Sequence, residues 1–327
     1  MIVTKTPLRV SFFGGGTDLP EFFEQESGKV LSTTINVFMH IVINETPHKR
    51  VKACYDQIEL TDTSEQIKHE RIRETLLEYN VFNNIEVSSF CHIPTRGTGL
   101  GSSSSFTVGL CAALEKRNGL DFTPGSIAER AYKIERVRCS DSLGKQDQYA
   151  AAFGGLNLFT FKRNQTLVQP VVLDTAVLNN LENSLMFFYT GIRRNANEIL
   201  SSQAKSTKNG ANVNYLKELA MCAELGTSYL HNNSLFKFGS LLNYAWNLKK
   251  QVDKNISNEE IDGYYNLGIK SGALGGKLLG AGGGGYLMFF VNPEDQDKVR
   301  KAMPLQEYKF KFSNSGTEVV YEHITSY

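Results

Sequence analysis

The distribution of glycine constrains this chain more than any other feature of its sequence. The 327 residues contain 28 glycines, close to the ~7% typical of proteins. Nearly half of them lie in three short clusters, at residues 14–16, 97–101 and 275–285. Glycine is used where the backbone takes a positive φ or approaches a ligand closely. Three such clusters in one chain indicate a site that is built from loops.

Size and composition exclude several classes of protein. A chain of 327 residues corresponds to roughly two domains, and 41% hydrophobic with 21% charged residues is ordinary globular composition. The 35 basic and 34 acidic residues leave a net charge of +1, which gives no bulk attraction to nucleic acid or to an anionic membrane. No run approaches the ~20 apolar residues of a membrane-spanning helix. We therefore expect neither a nucleic-acid nor a membrane partner.

The five cysteines are scattered, odd in number and without a CxxC pair. This pattern argues against both a disulfide framework and a zinc ribbon. The first nine residues also lack the apolar region of a secretion signal. We expect reduced thiols in a cytoplasmic protein.

The order of predicted elements indicates an α+β fold. Residues 8–13 and 85–91 are predicted strands that enter the first two clusters, and residues 101–117 form a predicted helix. Predicted helices then dominate residues 195–271. Strands grouped before helices argue against regular βαβ alternation. We predict two domains, residues 1–180 and 181–327, that pack around a cleft.

The second cluster has the character of an anion cradle. Residues 94–105 read PTRGTGLGSSSS and lie between a predicted strand and a predicted helix. The start of a helix presents unpaired N–H groups, and the serines can donate to phosphate or ligate Mg²⁺. Neither the Walker A motif nor GxGxxG matches. Phosphate binding and a serine-rich helix cap after a tight turn both stay open.

The other two clusters are less specific. Residues 12–18, FFGGGTD, suit either a ligand site or a turn in which Asp18 caps the next helix. Residues 277–285, KLLGAGGGG, are expected between a helix and a strand. Four successive glycines carry a large entropy cost. Close approach of this segment to a ligand or to another loop is therefore predicted.

Taken in order, three segments resemble the three motifs of the GHMP kinase superfamily, which includes galactokinase and the homoserine, mevalonate and phosphomevalonate kinases. They are TPLRVSFFGGGTD at residues 6–18, PTRGTGLGSSS at 94–104 and KLLGAGGGGY at 277–286. The resemblance covers nearly the whole chain. It implies two α+β domains with the active site in the cleft between them, and ATP as the cofactor.

Within the superfamily the chain is most similar to sugar-1-kinases that have GGGTD in the first motif. The implied activity is phosphorylation of the anomeric hydroxyl of D-glycero-D-manno-heptose 7-phosphate to the 1,7-bisphosphate, for nucleotide-activated heptose. Galactokinases have a sugar-contacting glutamate where this chain has Gly15. Removing that carboxylate leaves room and removes repulsion of an anionic sugar. A kinase for fucose or a hexose and a non-catalytic sugar and ATP sensor remain alternatives.

The resemblance also implies the catalytic groups. The segment KQDQY carries Asp147 where the family has its catalytic aspartate, and we expect Asp147 to be the general base. Arg9 is the expected cation beside it, and Lys145 is a weaker candidate for that role. The alternative for Asp147 is a helix cap.

A Mg²⁺ site is implied at Glu135 and Ser103, since few protein oxygens suffice when phosphate and water complete the coordination. The alternative for Glu135 is a surface ion pair with Arg138, three residues later on the same helix.

Ligand contacts follow from the same resemblance. The residues expected to bind ATP are Pro94, Gly97, Gly99, Leu100, Gly101, Ser102, Ser103 and Ser104. Those expected to bind the sugar are Gly15, Gly16, Thr17, Asp18, Arg194, Gly282 and Gly283. Arg194, with Arg96 as a second candidate, suits bidentate recognition of a distal phosphate. A monomer and a homodimer both remain open.

Overall fold

A computed structural model of the protein describes residues 1–93, 97–192 and 196–323. The strands of this part of the chain are β1 (Ile2–Phe13), β2 (Gly28–Glu45), β3 (Val51–Cys54), β4 (Ile58–Thr61), β5 (Ile85–Phe90), β6 (Leu156–Lys162), β7 (Gln165–Pro170), β8 (Leu185–Tyr189), β9 (Ala273–Leu278), β10 (Tyr286–Val291), β11 (Gln306–Tyr308), β12 (Phe312–Ser313) and β13 (Glu318–Glu322). Its α-helices are α1 (Pro20–Phe23), α2 (Glu70–Glu78), α3 (Ser102–Arg117), α4 (Pro124–Lys133), α5 (Gln146–Phe153), α6 (Thr175–Asn183), α7 (Ala196–Lys208), α8 (Val213–His231), α9 (Leu235–Val252), α10 (Glu259–Lys270) and α11 (Gln296–Ala302).

The larger sheet is built around the long strand β2. Within the described residues its order is β13-β1-β2-β5-β3-β4, with β6 and β12 also paired to β2 and β7 paired to β6. The pairings are antiparallel except for β3 with β5. The β-branched and aromatic residues of residues 28–45 favour this extended strand. Both strands that enter the first two glycine clusters, β1 and β5, pair directly with it.

The smaller sheet has the antiparallel order β11-β8-β10-β9 among the described residues. The chain then returns to the larger sheet, where Phe312 of β12 pairs with Ile35 and Glu322 of β13 pairs with Ile2. The proposed division near residue 180 therefore separates the two sheets, apart from the strands β12 and β13.

Strand β9 was not predicted, and it changes the expected surroundings of the third cluster. The sequence predicted that cluster directly after a helix, whereas β9 lies between α10 and the glycine-rich turn. A Cβ on Gly275 would lie 2.2 Å from the carbonyl oxygen of Gly239 in α9. Glycine at this point of β9 therefore allows α9 to lie directly on the strand.

The first glycine cluster is tied to the helices of the second half by aromatic packing. The Phe238 ring of α9 lies 5.4 Å from the Phe12 ring and 5.1 Å from the Phe13 ring, both in edge contacts. In α8, a Cβ on Gly226 would lie 2.5 Å from the Phe13 ring. The end of β1 and the helix α9 thus form one buried unit.

The cysteines and helices agree with the expectations from composition. The five cysteines are free, and burial raises the pKa of Cys139 to about 12 and of Cys222 to about 11, so their thiols are unreactive. Among the described residues, no helix is both long and apolar enough to cross a bilayer.

Candidate active site

The three glycine clusters meet at one cavity of about 1040 Å³. Ligand pockets usually measure about 300–1,000 Å³, so this cavity is a large one. The residues of the three clusters that line this cavity are Gly15, Gly16, residues 97–99, residues 101–104, Gly280 and Ala281. The site that the glycine distribution predicted is therefore a single cavity.

The second cluster turns from β5 into α3 through three glycines in the left-handed region. Gly97, Gly99 and Gly101 have φ of +70°, +76° and +74°, and Gly101 is the residue before the first helical position of α3. The N–H groups of the first helical turn have no partners within the helix, and the helix dipole is positive there. This end of the cavity can therefore hold an anion.

The third cluster supports the second by backbone contact. A Cβ on Gly99 would lie 2.2 Å from the carbonyl oxygen of Leu279, and one on Gly280 would lie 2.6 Å from the Cα of Gly99. The N–H of Tyr286 donates to the carbonyl of Thr98 at 3.1 Å. The predicted close approach of this segment to another loop is confirmed.

Gly282 and Gly283, which were predicted to contact the sugar, do not line the cavity. The N–H of Gly283 donates to the carbonyl of Ile256 at 2.9 Å, and a Cβ on Gly282 would lie 2.7 Å from the Cα of Ile256. These glycines fit the turn against the segment after α9. Gly280 and Ala281 are the residues of this turn that line the cavity.

Arg9 and Asp147 form an ion pair on the cavity wall. Asp147 lies in the first turn of α5 and Arg9 lies in β1. The Arg9 Nε and Nη2 atoms lie 2.9 and 2.7 Å from Asp147 Oδ1, and Nη1 donates to the carbonyl of Gly99 at 2.5 Å. Arg9 therefore fixes the carboxylate relative to the anion cradle, as predicted. The residue before α5 is Lys145, so the alternative that Asp147 caps this helix is wrong.

The surroundings of Asp147 increase its affinity for a proton. Burial raises the pKa of this carboxyl above its usual value, and the nearby charge of Asp18 acts in the same direction. The Arg9 guanidinium opposes both effects without cancelling them. A carboxylate held in this way accepts a proton more readily than one in water.

Lys145 does not share the position of Arg9. Its ammonium is paired with Glu129 and lies over the rings of Tyr132 and Phe23, at 5.1 and 5.6 Å from their centroids. Lys145 and Asp147 are two residues apart at the start of α5, which turns their side chains about 200° apart around the helix axis. Lys145 is therefore not the cation beside Asp147.

Asp18 joins the first cluster to the segment that carries Asp147. Its side chain is 3% exposed and accepts the N–H of Gly16 at 2.9 Å, the backbone N–H of Gln146 at 3.2 Å and its side-chain amide at 3.1 Å. A Cβ on Gly144 would lie 2.1 Å from the Asp18 carboxylate. Asp18 lines the cavity, and α1 begins later, at Pro20, after Leu19, so the alternative that Asp18 caps this helix is wrong.

Two predicted ligand residues are part of the framework. Thr17 is fully buried, and its hydroxyl donates to the carbonyls of Gly14 at 2.8 Å and Lys29 at 2.9 Å. Leu100 is also fully buried, and its carbonyl accepts the N–H of Arg9 at 3.0 Å. Both shape the cavity without facing it.

Glu135 lies in a buried hydrogen-bond network behind the cradle. It is 0% exposed and belongs to the π-helical segment Ile134–Arg138 that follows α4, a distortion often found at functional sites. Its carboxylate accepts from Ser104 and Thr107, each at 2.8 Å, from Arg71 Nε at 2.9 Å, and from Gln148.

The serine hydroxyl bonded to Glu135 belongs to Ser104, while Ser103, the other predicted Mg²⁺ ligand, is exposed and lines the cavity. One alternative for Glu135 needs correction. Arg138 pairs with Glu74 at 3.1 Å and with Glu78, so the predicted alternative of a Glu135–Arg138 ion pair is wrong.

The donors around the cradle suit Mg²⁺ in a site completed by phosphate and water. Ser103 and Asp141 line the cavity, and Asp141 shares the Arg71 guanidinium with Glu135. A hydroxyl and carboxylates are the oxygen ligands that Mg²⁺ prefers. No cluster of three or more acidic, His or Cys ligands occurs among the described residues.

Lys249 of α9 is the main residue of the site that the sequence reasoning missed. It is 7% exposed, and its Nζ donates to the carbonyl of Gly15 at 2.9 Å and to Gln203 Oε1 at 3.1 Å. A signal was available, because Lys249 follows Leu242 and Ala245 on the buried stripe of an amphipathic helix. A lysine on such a buried stripe needs polar groups that bind its ammonium.

The far end of the cavity is partly apolar. Its lining includes Met39, Tyr55, Phe90 and Phe106, together with His40, His69 and His92. The three histidines come together because α2 and the strands β2 and β5 converge there. Of the remaining predictions, Pro94, Arg96 and Arg194 lie outside the described residues.

Comparison with known proteins agrees with this geometry. Residues 67–155 match the family model of the GHMP kinases N terminal domain, and residues 227–309 match that of the GHMP kinases C terminal. The D-glycero-alpha-D-manno-heptose 7-phosphate kinase of Campylobacter jejuni is 30% identical over 97% of this chain and 98% of its own length. The L-fucokinase/L-fucose-1-P guanylyltransferase of Bacteroides fragilis is 24% identical over 91% of this chain and 35% of its own length.

Among solved structures, a D-glycero-D-manno-heptose 1-phosphate kinase from Bacteroides thetaiotaomicron has the same fold. The two superpose with a TM-score of 0.80 at 23% identity, over 99% of this chain and 100% of that one. The chain belongs to the GHMP kinases. It is a two-domain α+β enzyme that transfers a phosphoryl group from ATP to an alcohol.

Proposed function

We propose that this enzyme phosphorylates the anomeric hydroxyl of a D-glycero-D-manno-heptose 7-phosphate. The observation that carries the proposal is the Arg9–Asp147 pair on the cavity wall, held to the Gly99 carbonyl of the cradle. The substrate class is supported by the name of the Campylobacter jejuni relative and by Gly15, which leaves a negative charge out of the acceptor pocket.

At the nucleotide end, the residues of the second cluster bind the ATP phosphates. The first N–H groups of α3 and the serine hydroxyls donate to phosphate oxygens. Because the third cluster supports Gly99 from behind, the cradle keeps its shape when the nucleotide leaves. Phosphoryl transfer depends chiefly on such positioning and on charge stabilisation.

At the acceptor end, Asp147 accepts the proton of the attacking hydroxyl. Its raised pKa favours this transfer, while Arg9 holds Oδ1 and stabilises negative charge that develops on the acceptor oxygen. Asp18 orients neighbouring sugar hydroxyls, since a carboxylate can accept about four hydrogen bonds and three are occupied.

Mg²⁺ is proposed to accompany ATP. Ser103 and Glu135 are its proposed ligands, as the family resemblance implies. Ser103 lines the cavity, Glu135 lies behind it, and Asp141 is a further carboxylate on the cavity wall. When bound, the ion neutralises charge on the phosphates. The enzyme is proposed to act in the cytoplasm, with the two domains divided near residue 180.

A kinase for fucose or a hexose is the nearest alternative. The fucokinase relative supports it at a lower identity, but nothing in the described part of the acceptor pocket favours a neutral sugar over an anionic one. A non-catalytic sensor would not need the Arg9–Asp147 pair.

The test is ATP consumption with a panel of free and phosphorylated sugars, followed by phosphorus NMR of the product. We expect turnover of heptose 7-phosphate and a new phosphate signal coupled to the anomeric proton. Turnover of free hexoses or fucose without turnover of heptose 7-phosphate would show that the substrate proposal is wrong.

A further inference from the structure

Lys249 is an inward-facing cation at the acceptor end of the cavity, where the proposed mechanism gives it no part. It lies on the stripe of α9 that buries Leu242, Ala245 and Val252. Long charged side chains on such a stripe normally turn their charge outward to water. Here the ammonium turns toward the cavity, which it lines together with Gly15, Gly16 and Asp18.

The partners of this ammonium are neutral. Among the described residues, its hydrogen bonds go to the carbonyl of Gly15 at 2.9 Å and to Gln203 Oε1 at 3.1 Å. An ammonium has three donors, so one remains for a ligand. Burial lowers the pKa of Lys249 to about 8, although Asp18 and Asp253 act in the opposite direction. A buried cation without a bonded carboxylate is an unfavourable arrangement unless a ligand supplies the counter-ion.

The first glycine cluster is shaped to admit this side chain. A Cβ on Gly16 would lie 3.0 Å from Lys249 Nζ, and Gly16 has a φ of +102°. Gly15 supplies the carbonyl that receives the lysine, at the residue where galactokinases have a carboxylate. The chain therefore lacks a carboxylate at the position where the Lys249 ammonium lies.

Among the described residues, Lys249 is hydrogen-bonded to the first cluster and not to the cradle for ATP. Its contacts are to Gly15 and to Gln203 of α7, whose amide donates to the carbonyl of Ala281 at 3.3 Å. The cradle for ATP lies at residues 97–104, next to Arg9 and Asp147. Asp18 acts electrostatically on both Asp147 and Lys249.

We propose that Lys249 binds the phosphate ester at the far end of a sugar phosphate and thereby makes the enzyme prefer phosphorylated acceptors. This inference rests on the proposed function and assigns the enzyme's preference for phosphorylated sugars to one residue. The free ammonium donor and its charge bind the ester oxygens, while Gly15 and Gln203 hold the side chain in place.

The test compares Lys249→Met with Lys250→Met. Lys250 is the next residue of α9 and pairs with Asp262 at 3.3 Å on the outer side, so its replacement removes the same charge away from the cavity. Heptose 7-phosphate, unphosphorylated heptose and ATP are assayed in turn. We expect Lys249→Met to lower kcat/KM for the 7-phosphate about 100-fold, with kcat/KM for the free sugar and KM for ATP unchanged. Lys250→Met should behave as the wild type.

An equal loss for the free and the phosphorylated sugar would overturn the inference, since it would mean that Lys249 only supports the Gly15 turn. If Lys249→Met does not fold, Lys249→Arg keeps the charge and moves the donor. That variant is expected to lose about tenfold toward the 7-phosphate alone, and equal losses would again count against the inference.

Failure of the proposed function has a different signature. If the wild-type enzyme turns over only unphosphorylated sugars, the substrate proposal is wrong, and inorganic phosphate then becomes the probe. Inorganic phosphate that competes with the sugar in the wild type and in Lys250→Met, but not in Lys249→Met, would support an anion site at Lys249. Absence of such competition in the wild type would overturn it.

Discussion

The two ends of the cavity are built in different ways. The nucleotide end is made of backbone: glycines at 97, 99 and 101 turn into α3, and the third cluster packs behind them. The acceptor end is made of side chains from distant parts of the chain, with Arg9 from β1, Asp147 from α5 and Lys249 from α9. A backbone cradle suits the phosphates of ATP, which all members of a kinase family use. Side chains can change one at a time, and so they carry the selectivity.

The largest effect is expected where the two ends meet. Asp147→Asn keeps the size of the side chain and its contact with Arg9 but removes the proton acceptor. We expect kcat to fall about 1,000-fold while KM for ATP stays close to that of the wild type, as measured by steady-state kinetics. Asp56→Asn, an exposed carboxylate on the same cavity, is the control and should retain activity. Activity of Asp147→Asn close to that of the wild type would exclude the role assigned to Asp147.

The backbone character of the nucleotide end is tested by Gly99→Ala against Gly119→Ala. Both glycines have a positive φ, but a Cβ on Gly99 meets the Leu279 carbonyl at 2.2 Å, whereas one on Gly119 meets nothing within 4 Å. We expect Gly99→Ala to raise KM for ATP about 100-fold and to lower the free energy of unfolding by about 3 kcal/mol. Gly119→Ala should lose only about 1 kcal/mol and bind ATP normally. Similar behaviour of the two variants in kinetics and thermal unfolding would contradict the packing role of the third cluster.

The side-chain character of the acceptor end is tested by Gly15→Glu against Gly15→Gln. The nearest atom to a Cβ at this position is Gln146 Nε2 at 3.8 Å, so a Cβ fits there, and the two side chains have nearly the same size. The glutamate places a negative charge beside Lys249 and the incoming phosphate ester. We expect kcat/KM for heptose 7-phosphate to be about tenfold lower in Gly15→Glu than in Gly15→Gln. Equal values for the two variants would mean that space and not charge makes glycine necessary.

The smallest effect is expected from pH. Burial lowers the pKa of Lys249 to about 8, and the protonated form binds the ester, so affinity for the sugar phosphate falls as the pH rises through this value. Asp18 and Asp253 favour the protonated form, while Lys277 and Lys249 repel each other. We expect kcat/KM to fall about fivefold between about pH 8 and about pH 9 in the wild type.

Lys249→Arg is the control for this profile, because guanidinium stays protonated throughout that range. The alkaline decrease should be absent in the arginine variant. Its persistence there would assign the decrease to another group. On the acid side, activity should fall as Asp147 becomes protonated, above the pH expected for a solvent-exposed aspartate, because its pKa is raised.

The nucleotide end could be predicted from the sequence because the residues that form its turn are close together in the chain. A strand, three glycines and a helix start follow one another along the chain, and their contacts with the third cluster need only glycine on both sides. The same locality predicted α3, while Arg9 and Asp147 were implied by the resemblance to the GHMP kinases.

The acceptor end could be predicted only in part, because its contacts join residues far apart in the chain. Lys249 reaches Gly15 across 234 positions, and spacing within α9 marks it as unusual without giving its destination. Lys145 was misjudged because nearby positions at the start of a helix face in different directions. The fold directs Lys145 to Glu129, whereas Asp147 faces Arg9.

The proposed acceptor pocket for an anionic sugar is tested most directly by one ratio in the wild-type enzyme. This is the ratio of kcat/KM for heptose 7-phosphate to that for the same heptose without its phosphate. We expect a ratio of about 100 in favour of the phosphorylated sugar. A ratio at or below unity would contradict it.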